Sequence, residues 1–245
     1  MTEQRFPTPR PITLEVKVAA GDIDVRTVDG EESTVALEGS PQVLENVRVE
    51  LVGDRLRVEQ RGKSGLGWFG RAYGQLRVTA AVPSRSQIEI ATAASNATLE
   101  GAFAGVELRS ASGDLVVNGE LDGDAVVRTV SGSVRLPAVA GELRVQTVSG
   151  DVAAESVDGS VAVKSVSGDV RIGSLREGNV VVQSVSGDVE LGVASGASLD
   201  VDAGSASGEV SSEIPLFDAP GEDAPRKIVI RSSSVSGDFR VFRAA

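Results

Sequence analysis

Cysteine and histidine are both absent from this chain of 245 residues. Without cysteine there is no disulfide and no thiolate metal site. Without histidine the commonest metal ligand and general base is missing, and a nucleophilic triad has no base to activate it. Aromatic residues make up only 3% of the chain, while 41% is hydrophobic, so any core must be built from Val, Leu, Ile and Ala. Basic residues are outnumbered 24 to 35 by acidic ones, a net charge of -11. A nucleic-acid binder needs a cationic footprint to displace phosphate counterions, and an anionic membrane surface asks for the same. Neither partner is expected.

Long apolar runs are missing too. None approaches the roughly 20 residues that span a bilayer as a helix. The opening "MTEQRFPTPRPITLEV" has no apolar signal core. The chain as given therefore reads as cytoplasmic, and as extracellular only if it has been cut from a longer one.

What is present is a repeat. "TVSGDV" at 147–152 returns as "SVSGDV" at 165–170 and 184–189 and as "SVSGDF" at 234–239. Looser copies are "SASGDL" (110–115), "TVSGSV" (129–134) and "SASGEV" (205–210). The glycines of the central copies are 18 or 19 residues apart, with a second glycine midway, so each repeat has two halves of 9 or 10 residues. Each half holds a short alternating apolar run. One set of columns is Val127, Val145, Val163, Val182, Val201 and Ala125, Leu143, Val161, Val180, Leu199; the other is led by Leu115, Val134, Val152, Val170, Val189, Val210. Alternate residues of a strand face opposite sides, so these columns are expected to point inward.

Like residues returning at one period mean stacked coils, because a single coil cannot bury its apolar side and a stack can. The repeat is too short to hold a helix, and its Val-rich runs favour strands. The expected fold is all-β: a β-solenoid of about 18 residues per coil, of β-helix or β-roll type. Residues 1–100 alternate less regularly and are expected to form a β region that merges into the solenoid and caps it. Residues 101–245 form the regular solenoid, with a Pro-rich insertion at 213–227 and a C-terminal capping coil whose Phe239 and Phe242 are expected to plug the end. "VGDR" (52–55) reads as a hairpin turn, and no segment reads as a helix of normal length. Gly is expected at each corner for its freedom at positive φ. Strict alternation would send Val130, Val148, Val166 and Val185 into water. The corner is therefore expected to break parity near 128–131, turning these valines in and the neighbouring Thr and Ser out.

Four groups of residues could carry function. Corner acids led by Asp151, Asp169 and Asp188 would stack one strand spacing apart, which invites a cation such as calcium; the simpler reading is that each caps its own turn. The Thr/Ser columns beside them could order water, or form internal hydroxyl ladders. "GKSGLGWFGRAYG" (62–74) holds the only Trp and the only Tyr, so Trp68, Phe69 and Tyr73 are candidates for a partner contact or for a flap over apolar surface. Paired acids could serve glycoside chemistry, but no long side loop or cleft accompanies them in the repeat. No catalytic residue and no cofactor site is assigned, and no phosphate or dinucleotide fingerprint occurs.

The repeated "TVSGDV" and "SVSGDV", the opening "PITLEVKVAAGDIDVRTVDG" and the bridge "AVPSRSQIEIATAASNATLEG" at 81–101 resemble a bacterial family of "putative adhesins", a domain of unknown function. The resemblance covers nearly the whole chain. It implies a β-solenoid with no assigned activity, and it carries over no site residues. The expectation is a non-enzymatic, adhesin-like interaction scaffold that binds a protein partner or assembles with itself. The alternatives are a calcium-binding β-roll adhesin and a carbohydrate-active solenoid.

Overall fold

A computed structural model describes residues 2–61, 74–214 and 227–244. Strand dominates; among the described residues the one helix is the four-residue α1 (Pro41–Leu44). The chain divides into two compact units, residues 1–119 and 120–245.

In the first unit, β1 is Thr2–Pro7, β2 Thr13–Val28, β3 Glu32–Glu38, β4 Val47–Val52, β5 Arg55–Gln60, β6 Leu76–Pro83 and β7 Ser86–Arg109. The alternation of β2 buries Leu14, Val16, Val18, Ile23 and Val25. β2 is the first coil, but it is not the outer one. Its first half pairs in parallel with β5 on one side and β7 on the other, and its second half lies between β6 and β7. The cover of β5 and β6 is finished by antiparallel pairs, β4 on β5 and β3 on β6, with β1 on β3. The 52–55 hairpin forms as the sequence suggests, closing Val52 against Arg55 with Gly53 at φ 64°.

β8 (Leu115–Leu121) runs across the boundary, and the second unit is the regular repeat. One stack of strands is formed by β9 (Ala125–Arg128), β11 (Leu143–Gln146), β13 (Val161–Lys164) and β15 (Gly178–Gln183). The other holds β10 (Val134–Val139), β12 (Val152–Val157), β14 (Val170–Leu175) and β16 (Val189–Val193). Neighbours in each stack are parallel and in register, with Leu143 opposite Ala125 and Val161, and Val152 opposite Val134 and Val170. Both sets of inward columns are buried through these coils, from Ala125 and Val127 to Val189 and Leu191. Shared burial of branched side chains along the stack is what holds it.

The end of the repeat departs from the sequence order. The next coil along the chain is β17 (Ser198–Ser207) with β18 (Val210–Ser212), followed by β19 (Lys227–Ser236) with β20 (Phe239–Arg243). The last coil does not close the stack. β19 pairs in parallel with β15 on one side and β17 on the other, and β20 lies between β16 and β18. Phe239 is therefore a buried core residue, not an end plug, and Phe242 stands opposite Gly192, whose missing side chain leaves room for the ring. The outer coil is the earlier one. Val210, expected inward like its column, is 43% exposed, and among the described residues no further coil covers it.

The corner glycines are required twice over. Gly168 has φ 120°, and a Cβ on it would sit 2.5 Å from the carbonyl oxygen of Gly150 in the coil beside it. A side chain would meet both a strained backbone and a backbone clash.

Candidate functional site: a corner ridge of valines

The corner keeps its parity. Thr129, Thr147, Ser165 and Ser184 are buried, and Val130 (53% exposed), Val148, Val166 and Val185 (47% each) face water. The expected parity break does not occur, and at Thr129, Ser165 and Ser184 hydrogen bonding explains why. The Thr129 hydroxyl donates to the Ser131 carbonyl at 2.8 Å, and the Ser165 and Ser184 hydroxyls donate to the Ser167 and Ser186 carbonyls at 3.1 Å. A hydroxyl turned inward binds the corner from inside, which a valine cannot do. The column of Thr129, Thr147, Ser165 and Ser184 is thus internal, whereas Ser149, Ser167 and Ser186 of the column beside it are exposed.

The valines form a continuous ridge. Backbone bonds run straight through the corner, from Ser149 N–H to Val130 carbonyl and likewise for Ser167 to Val148 and Ser186 to Val166, all between 2.8 and 2.9 Å. Parallel bridges link Ser131, Ser149, Ser167, Ser186 and Ser236 in that order. Because the last coil is intercalated, Val235 (56% exposed) extends the ridge beside Val185. Five valines therefore stand in one file, about 4.8 Å apart. Single exposed valines are ordinary, whereas a file of them is a patch.

One flank of the ridge is acidic. Asp169 N–H donates to Asp151 Oδ1 at 3.0 Å, Asp188 N–H to Asp169 Oδ1 at 2.9 Å, and Asp238 N–H to Asp188 Oδ1 at 2.8 Å. Glu209 N–H donates to Asp238 Oδ1 at 2.9 Å, which carries the ladder to the outer coil. Each carboxylate thus caps a backbone N–H of the neighbouring coil rather than its own turn. Among the described residues Asp151, Asp169, Asp188 and Asp238 form no ion pair, and no group of three or more acids has the arrangement of a metal site. The other flank is a row of donors, with Gln146 in register with Arg128 and Lys164, Lys164 with Gln183, and Gln183 with Ser233.

A second charged cluster, which the sequence reading did not single out, lies in the first unit. Glu15, at 11% side-chain exposure, meets Lys17, Arg57 Nε at 2.8 Å and Arg55 Nη1 at 3.5 Å, and Arg55 also holds Glu89 at 2.7 Å. The hydrogen bond from Lys17, helped by the Arg57 charge, holds the Glu15 carboxyl below the usual glutamate range against the opposing effect of burial. Its members come from β2, β5 and β7, so sequence spacing alone does not bring them together. Trp68, Phe69 and Tyr73 lie outside the described residues.

A model of the family described as Toastrack DUF4097 matches residues 12–241. No curated protein matches the sequence. Among solved structures the chain is similar to a "putative adhesin" from Bacteroides fragilis, at 10% identity and a TM-score of 0.56, over 98% of this chain and 96% of that one. It also matches a "putative cell adhesion protein" from Clostridium sporogenes at 11% identity, 99% of each chain and a TM-score of 0.30. A "putative lipid binding protein" from Parabacteroides distasonis matches at 10% identity, 98% of this chain and 96% of that one, with a TM-score of 0.34. At these identities the first likeness speaks to the fold, and the other two are too loose to argue from.

Proposed function

The chain belongs to the Toastrack DUF4097 family, and on that footing we propose that it is a non-enzymatic, adhesin-like solenoid whose work is to hold another protein surface. The carrying observation is the ridge of Val130, Val148, Val166, Val185 and Val235, exposed in file and flanked by acids on one side and donors on the other. An apolar core with a polar rim is the anatomy of a protein interface. The lack of His and Cys supports a role without chemistry.

The test is capture from cells of the source organism. The wild type is run beside a Val148→Thr, Val166→Thr, Val185→Thr variant, which keeps shape and β-propensity but makes the ridge polar. A second variant carries Trp68→Ala, Phe69→Ala and Tyr73→Ala. The ridge variant is expected to melt like the wild type and to lose what the wild type captures. Undiminished capture by the ridge variant, with loss from the aromatic one, would move the site to residues 62–74 and overturn the ridge.

A further inference from the structure

The period and polarity of the ridge identify what fits it. An extended peptide laid along the ridge repeats its side chains every 6.6–6.8 Å or so, and a helix repeats every 5.4 Å. Both fall out of step with ranks about 4.8 Å apart within a few residues. A second stack of parallel coils stays in step along the whole file. Two copies of this chain can lie ridge to ridge about a two-fold axis in two ways. An axis across the ridge sets the acidic flank against the acidic flank, which repels. An axis along the ridge exchanges the flanks and sets each rank against the same rank.

Resting on the reading of the ridge as an interface, the geometry points to a second copy of this chain as its partner, docked in parallel about a two-fold axis along the ridge. Each valine then meets its own counterpart. Lys164 of one copy faces Asp169 of the second copy, Gln146 faces Asp151, and Gln183 faces Asp188, since each donor stands on one side of its valine and each acid on the other. Such an interface is isologous, so every pairing occurs twice. The carboxylates are already oriented, because each spends one oxygen on the backbone of the next coil and none forms an ion pair among the described residues. The net charge of -11 per copy repels at low salt. Association is therefore expected at about 0.15 M ionic strength, where the screening length falls to about 8 Å and the ridge contacts persist.

Sedimentation of the full chain at that ionic strength is the test, with melting curves as the folding control. The wild type is expected to form dimers at concentrations on the order of 100 µM. Lys164→Glu alone and Asp169→Lys alone are each expected to weaken the dimer by about tenfold to a hundredfold, as the reversed pair occurs twice. The double variant is expected to restore it, because both members of every pair are exchanged together. In a chain without cysteine, Val166→Cys is expected to form a disulfide-linked dimer on mild oxidation. A wild type that stays monomeric overturns this inference and leaves the proposed function to its own capture test. A dimer that the single reversals leave intact, or that the double reversal fails to restore, also overturns it. Capture of a basic protein by a monomeric wild type would give the ridge a different partner.

Discussion

The backbone N–H of Asp238 donates to the carboxylate of Asp188 at 2.8 Å across 50 residues of sequence. Two features meet in that bond. Acids at the corner tie each coil to the next, and the last coil of the chain sits beside the coil of Asp188 because it has slipped under the coil of residues 198–212. The first unit uses the same device, with β2 held between β5 and β6 on one side and β7 on the other.

Intercalation predicts an inverted order of stability at the C-terminal end. β19 and β20 are hydrogen-bonded on both edges, whereas β17 and β18 have a described partner on one edge alone. Native-state hydrogen exchange is expected to be slower at residues 228–232 and 239–241 than at 199–203 and 210–212, the reverse of fraying from a chain end. Faster exchange at 228–232 would contradict the stacking order.

The acid ladder predicts that acceptor capacity matters at Asp169 and charge does not. Asp169→Ala removes the acceptor of the Asp188 N–H and is expected to cost about 1 kcal/mol. Asp169→Asn keeps an acceptor and relieves repulsion along the file, so its melting temperature should equal or exceed the wild type's. If the ladder instead held calcium, chelator would lower the wild-type melt and Asn would cost as much as Ala.

The buried hydroxyls separate into two kinds. Thr129 donates at 2.8 Å, whereas Thr147 Oγ1 is buried with no hydrogen-bond partner. Thr147→Val keeps the shape and removes an unpaired polar atom, so it is expected to stabilise by up to about 1 kcal/mol. Thr129→Val loses a bond and is expected to cost about that much. Denaturant unfolding of the two variants should give shifts of opposite sign.

The Glu15 cluster predicts a stability that falls in acid. Its carboxyl is held below the ordinary glutamate value by Lys17 and Arg57, so the folded state binds that proton more weakly than the unfolded chain does. The stabilisation is fully present above the ordinary value of 4.5 and is lost as pH falls through the lowered one. Glu15→Gln should cost roughly 1–3 kcal/mol at neutral pH and flatten the acid limb of the stability profile. An unchanged acid limb would show that other carboxylates set it.

Much of the fold is legible in residue columns. Val127, Val145, Val163 and Val182 recur at one period because one buried lane runs through four coils, and the register shows that lane directly. Glycine at 150, 168 and 187 is legible for the same reason, since stacked corners impose one backbone shape on each coil. The side of the corner valines is not legible in the same way, because an apolar residue ordinarily outranks a hydroxyl for the interior. At this corner the hydroxyls of Thr129, Ser165 and Ser184 bond a carbonyl two residues on, and the valine is left outside.

Composition and periodicity by themselves determined that this chain is an all-β stack of coils, with glycine corners, a Val-rich core and no histidine or cysteine chemistry. Repetition writes those facts into every coil. Only the tertiary structure decided which coil lies beside which, and which side of the corner meets water. Near-identical repeats such as "SVSGDV" and "SVSGDF" can stack in more than one order with the same local contacts. The choice between orders rests on the pairing of whole strands far apart in sequence, and that choice carries the ridge from Val185 to Val235.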